Sequence, residues 1–178
     1  MAKKLLAVVL TGVMAVSMLT GCASIASRQV ADELEGMLKT ANTKATVKAV
    51  DDDLANKAVK AAKTDDGKFK VEQTLKTDVK AALVKDNGDA YVWYTYFTAK
   101  DMKKADKASK IANQIIKKES GAATIDTTTA VNNGEVKVGE KTSGIEAGDK
   151  YELSMKEFTV EKTDYIMVVV TCKAVESK

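Results

Sequence analysis

The chain contains no histidine and no proline, only two cysteines, and few aromatic residues. Without histidine there is no Ser-His-Asp or Cys-His nucleophile pair and no His-ligated zinc, and the commonest general base near neutral pH is missing. Without proline, helices run unkinked, turns depend on Gly, Asn and Asp, and a Pro-rich stalk is excluded. The two cysteines, Cys22 and Cys172, are too few for a disulfide framework. Charge is nearly balanced, with 28 Lys and Arg against 25 Asp and Glu, so net charge implies no nucleic-acid partner.

The N-terminus is the most informative stretch. Lys3 and Lys4 precede an uncharged apolar run from Leu5 to Thr20, and Gly21 and Cys22 follow. A basic start, an apolar core and a small-residue processing site are the parts of a secretory signal peptide. Leu19-Thr20-Gly21-Cys22 resembles the lipobox of bacterial lipoproteins at each of its four positions. The resemblance implies cleavage between Gly21 and Cys22, with a diacylglyceryl group on the Cys22 thiol. A thiol is a good nucleophile for such a transfer, and two or three acyl chains anchor stably where one does not. The expected organisation is a cleaved signal over 1–21, a lipid-anchored tether over 22–27 and a single domain over 28–178. Ala23 follows the cysteine where the family's inner-membrane sorting signal has Asp. That implies the outer membrane in a host with two membranes, and otherwise the outer face of the cell membrane. The competing reading is an uncleaved anchor, since Leu5 to Ser27 is uncharged and a bilayer needs about 20 residues.

Beyond the tether, apolar spacing predicts helices over 28–41, 51–63 and 101–118. Asp51 is placed as the cap of the second. Residues 44–50 alternate weakly, as a short strand. The segment 69–85 mixes both periods and is divided into a helix to Thr77 and a strand after it. Asp86-Asn87-Gly88-Asp89 then reads as a hairpin turn into the aromatic strand 90–98. Strands are also expected over 123–131, 134–140, 150–161 and 164–176, with a loop over 141–148 and a turn at Thr163-Asp164. Ile166–Val170 is continuously apolar, as in a central strand buried on both faces. The fold class is therefore α+β, with about three N-terminal and central helices packed on a curved antiparallel sheet of about 5–6 strands. This element order is similar to the nuclear transport factor 2-like cone fold.

Each candidate site has two readings. In strand 90–98, Tyr91, Trp93 and Phe97 point to one face and Tyr94 and Tyr96 to the other. One set fills the core, and Trp93, Tyr94 and Tyr96 are the candidates for a ligand groove; alternatively both faces are simply covered. Lys103, Lys104, Lys107, Lys110, Lys117 and Lys118 form either a lipid-facing surface or a solvated one. Asp51, Asp52 and Asp53, and Asp86, Asn87 and Asp89, are oxygen donors for a hard cation, or a helix cap and a turn. Cys172 is either a reactive thiol or a small buried hydrophobe.

Together these features describe a lipid-anchored protein of the cell envelope that binds without catalysis. No catalytic residues, metal ligands or cofactor are assigned. The partners implied are the membrane, through Cys22, and a small molecule, a peptide or another envelope protein. The alternatives are a small enzyme with an Asp/Glu pocket and an envelope assembly factor.

Overall fold

The computed structural model describes residues 26–51, 53–84, 90–99, 107–117, 123–124, 141–142 and 145–176. Helix α1 covers 26–39, strand β1 is Thr46–Ala49, and helices α2 and α3 are Leu54–Ala62 and Glu72–Val84. Strand β2 (Ala90–Thr98) and helix α4 (Lys107–Lys117) follow. Four more strands come last: β3 (Ala123–Thr124), β4 (Lys141–Thr142), β5 (Ile145–Val160) and β6 (Thr163–Glu176).

The α+β class holds, with four helices among the described residues. The sheet rests on four strands rather than the expected five to six, in the order β1-β5-β6-β2, while β3 and β4 add only two-residue pairings at its margins. The sheet is mixed rather than antiparallel, because β1 runs parallel to β5, Thr46 facing Lys150 and Ala49 facing Leu153. The long connection from β1 to β5, which passes through α2, α3, β2 and α4, makes this possible, since a parallel neighbour needs a crossover and cannot be reached by a tight hairpin.

Helices cover both faces of the sheet. One core joins Val30, Leu34 and Leu38 of α1 and Ile111 and Ile115 of α4 to Tyr91, Trp93, Leu153 and Val170 of the strands. The other joins Val59 of α2 and Leu75, Val79 and Leu83 of α3 to Val92, Tyr94, Met167 and Val169. Strand β6 lies between β5 and β2, and Ile166–Cys172 is buried throughout, as its unbroken apolar run requires. Burying each large side chain contributes roughly 1.5–3 kcal/mol, so these two layers dominate the fold's stability.

Several boundaries differ from the sequence expectation. Residues 78–84 continue α3 and are not a strand. Leu75, Val79 and Leu83 recur every four residues on one buried stripe, and that period prevails over the shorter alternation after Val79. Residues 86–89 therefore link a helix to β2, and their own conformation lies outside the described residues. The expected loop over 141–148 instead contributes β4 and the start of β5. Of the strands expected over 123–131 and 134–140 only Ala123 and Thr124 are among the described residues, as β3, and the helix start at 101–106 lies outside them. The β5–β6 turn is Glu161-Lys162, two residues before its expected place, with φ of 46° and 68°. Two positive φ values match the right-handed twist of a tight hairpin, although neither residue is the Gly or Asn that favours them.

Two local devices fix the edges of the sheet. The Glu35 carboxylate of α1 accepts the Val47 N–H at 2.8 Å on the outer side of β1 and pairs with Lys39. This occupies a backbone donor that an edge strand would otherwise present to another chain. The N-terminus of α2 is held differently from the expectation. Asp53 stands at the N-cap position with no side-chain cap bond, and the buried Ser154 hydroxyl of β5 accepts the Ala55 N–H at 3.2 Å.

Candidate functional site

Strand β2 carries the aromatic residues singled out by sequence, and the pleat sends them to opposite layers. Trp93 stacks on Tyr91 with ring centroids 5.7 Å apart and lies 6.1 Å from Tyr151, within the α1/α4 core. Tyr94 is buried in the α2/α3 core. Trp93 and Tyr94 are each 1% exposed, so the sheet separates them and they do not line a common groove with Tyr96. The reading in which both faces of β2 are covered describes their placement.

Tyr96 is half-buried and belongs to a cluster that sequence reasoning did not assemble. Phe69, in the loop between α2 and α3, lies 5.1 Å from Tyr96, 5.9 Å from Phe158 and 5.0 Å from Tyr165. Phe158 and Tyr165 face each other across β5 and β6 and stack at 5.6 Å. The Lys63 ammonium sits 5.9 Å above the Phe158 ring, within cation–π range. A bridge between Lys63 and Phe69 closes the α2–α3 loop, and Gly67 supplies its positive φ of 81°. Burial first, then the neighbouring Tyr165, raises the Tyr96 hydroxyl above its ordinary pKa. Half-buried ring faces beside one ammonium can stack on an apolar or planar group and attract a negative one. The signal in the sequence was weak, because Phe69, Phe158 and Tyr165 come from three separate segments.

The carboxyls that shift among the described residues are Glu35, Asp66 and Glu72, and all shift downward. The chief cause is the hydrogen bond from Lys39 for Glu35, from Thr64 for Asp66 and from Lys76 for Glu72. None of the three is held protonated near neutral pH, as a general acid must be. No group of three or more His, Cys, Asp or Glu side chains among the described residues could hold a metal ion. Asp51 and Asp53 are exposed, and Asp52, Asp86, Asn87 and Asp89 lie outside the described residues.

Cys172 is buried, and its thiol donates to the Gly148 carbonyl at 3.3 Å. Burial pushes its pKa up to about 11, far from the range of a reactive thiolate. Tyr151, opposite Cys172 on β5, is pushed up further by the same cause. Of the lysine face, Lys107 pairs with Glu157 of β5 and Lys110 is exposed. Lys117 ends α4, while Lys103, Lys104 and Lys118 lie outside the described residues, as do Gly21 and Cys22. A shallow open depression of about 380 Å³ lies along α1, lined by Asp32, Glu33, Gly36, Met37 and Thr40. No helix among the described residues is long and apolar enough to cross a membrane. Comparison with protein-family models, with curated proteins and with solved structures finds no match for this chain.

Proposed function

We propose that this chain is a bacterial lipoprotein, anchored through lipid on Cys22, that works outside the cytoplasm by binding a partner rather than by catalysis. The observation that carries the reading is Leu19-Thr20-Gly21-Cys22 behind a basic, then apolar, N-terminus. Ala26 is already helical, so only Ala23, Ser24 and Ile25 separate it from the lipidated residue. Four residue steps span at most about 14 Å, which keeps the folded part close to the lipid surface. In a cell with two membranes, Ala23 after the cysteine favours the outer one.

Binding is favoured over chemistry by the way the sheet is used. Both faces are packed with apolar side chains, and the shifted carboxyls are held ionised. Among the described residues, polar groups stand available for contact around the aromatic cluster and along the sheet edge.

The test is the intact mass of the protein from the host's membrane fraction. The expected mass is that of Cys22–Lys178 plus diacylglyceryl, with or without a further acyl chain. A Cys22→Ser variant should retain its N-terminal segment and lose the added lipid mass. Recovery of the full unmodified chain from wild type would overturn the anchor.

A further inference from the structure

Strand β5 is paired unequally on its two sides. Toward β6 it is bonded to the turn, the last register pair being Val160 with Thr163. Toward β1 the pairing stops at Leu153, whose carbonyl accepts the Val50 N–H at 2.9 Å. The Leu153 carbonyl therefore points away from β6, and by alternation so do the N–H and C=O groups of Met155, Glu157 and Thr159. No described residue pairs with these outward groups. The outer side of β1, by contrast, has its Val47 N–H occupied by Glu35.

The side chains beside this open stretch give it a sign. Lys156 is exposed on the same face as Phe158, over which Lys63 lies. On the other face the acids are Glu157, paired with Lys107, and Asp164, whose carboxylate accepts the Thr159 hydroxyl at 2.7 Å. Lys63 and Lys156 thus make the Phe158 face of the stretch electropositive, while the other face is balanced by its pairing. A second copy of this chain fits poorly. Symmetric antiparallel pairing of 154–160 with itself centres on Glu157 and sets two glutamates opposite each other, which destabilises a strand pair.

We propose that the outer edge of β5, from Met155 to Val160, accepts an extended acidic segment of a partner protein as an added strand. Backbone bonds to Met155, Glu157 and Thr159 supply register, and alternate acidic side chains lie against Lys156 and the Lys63–Phe158 pair. The proposal rests on the interaction reading above and not on the lipid anchor, so the intact mass and the edge experiment fail independently.

The experiment follows amide hydrogen exchange by NMR on the full chain in detergent micelles. The probe is the capped peptide Thr-Glu-Val-Glu-Val-Glu-Thr, compared with its Lys-for-Glu counterpart. Saturating acidic peptide should slow exchange at Met155, Glu157 and Thr159 by about tenfold or more. The lysine peptide should need at least about tenfold higher concentration for the same protection. Glu157→Pro removes the central outward donor and should abolish protection. Lys156→Glu keeps every backbone bond and should reverse the preference between the peptides, so the test survives if the proline variant does not fold. Absence of protection, or equal protection by both peptides, overturns the proposal. So does protection that grows with protein concentration alone, which would make a second copy the occupant.

Discussion

Replacing Ser154 by Ala removes one hydroxyl, and the expected cost is large for so small a change. Ser154 is 2% exposed and its oxygen accepts the Ala55 N–H, a donor in the first turn of α2 that has no partner within the helix. Ala55 is itself 1% exposed, so water does not readily replace the lost acceptor. Losing a helix N-cap costs about 1 kcal/mol, and leaving a buried donor unsatisfied costs about 1–3 kcal/mol. These figures overlap because they describe the same N–H, and about 1.5–2 kcal/mol is the expected destabilisation. For a chain of this size that corresponds to a fall in Tm of about 3–8 °C. Urea unfolding followed by the fluorescence of Trp93, the only tryptophan, would measure it, with the midpoint shifted and the m-value unchanged. The control is the pair Asp51→Ala and Asp53→Ala. Both residues are exposed and Asp53 makes no cap bond, so each should change stability by less than about 0.5 kcal/mol. A Ser154→Ala cost below about 0.5 kcal/mol, or an aspartate variant costing more than the serine variant, would refute the reasoning and restore capping by the aspartate run.

Gly36 and Gly148 should respond in opposite directions to alanine. In Gly36→Ala the new methyl meets nothing within 4 Å, so better helix propensity should stabilise by about 0.5–1 kcal/mol. In Gly148→Ala it would lie 3.2 Å from the Lys173 carbonyl oxygen and 3.4 Å from Val175, and urea unfolding should show a loss of about 1 kcal/mol or more. The Cys172 thiol has its pKa raised from 9.0 to about 11 by burial, so the unfolded chain ionises first as pH rises. Its contribution is complete below pH 9 and is lost between about 9 and 11, and comparing wild type with Cys172→Ala across that range should isolate the slope. Glu35 shifts the other way, below its ordinary 4.5, so its contribution is present above that pH and is lost as pH falls through its folded value. Glu35→Gln should remove that acid-side dependence, and it should speed exchange of the Val47 amide if the charge strengthens the edge bond.

What was legible in the sequence follows from how local each signal is. Strand 90–98 and the run Ile166–Val170 declare themselves because nearly all of their residues are β-branched or aromatic and most are buried. The second half of helix α3 is ambiguous in sequence because Val79, Ala81 and Leu83 also satisfy a strand period. Only the layer of helix beneath them, which buries Leu75, Val79 and Leu83 together, decides the matter. The turn at Glu161-Lys162 carries no signal of its own because its residues lack the usual signature, and the register of β5 on β6 imposes the positive φ values. The parallel pairing of β1 with β5 joins residues roughly a hundred positions apart, and no local pattern encodes it. The same limit hid the aromatic cluster, in which Tyr96 was visible and its neighbours Phe69, Phe158 and Tyr165 were not.

The cap on α2 and the open edge of β5 have a common origin. Strand β1 ends at Ala49, and the Val50 N–H makes the last bond to Leu153. The chain must leave the edge there, because within a few residues the start of α2 has to reach the Ser154 hydroxyl on one face of the sheet. Ser154 is thus both the acceptor that draws α2 onto the sheet and the residue at which β5 loses its neighbour. Weakening the cap should therefore loosen the crossover without closing the edge. In Ser154→Ala, exchange at Val50 and Ala55 should quicken while Met155, Glu157 and Thr159, which have no outward partner among the described residues, stay as they were. Slower exchange at those three amides would mean that the released chain had moved onto the edge, and that the cap had been what kept it clear.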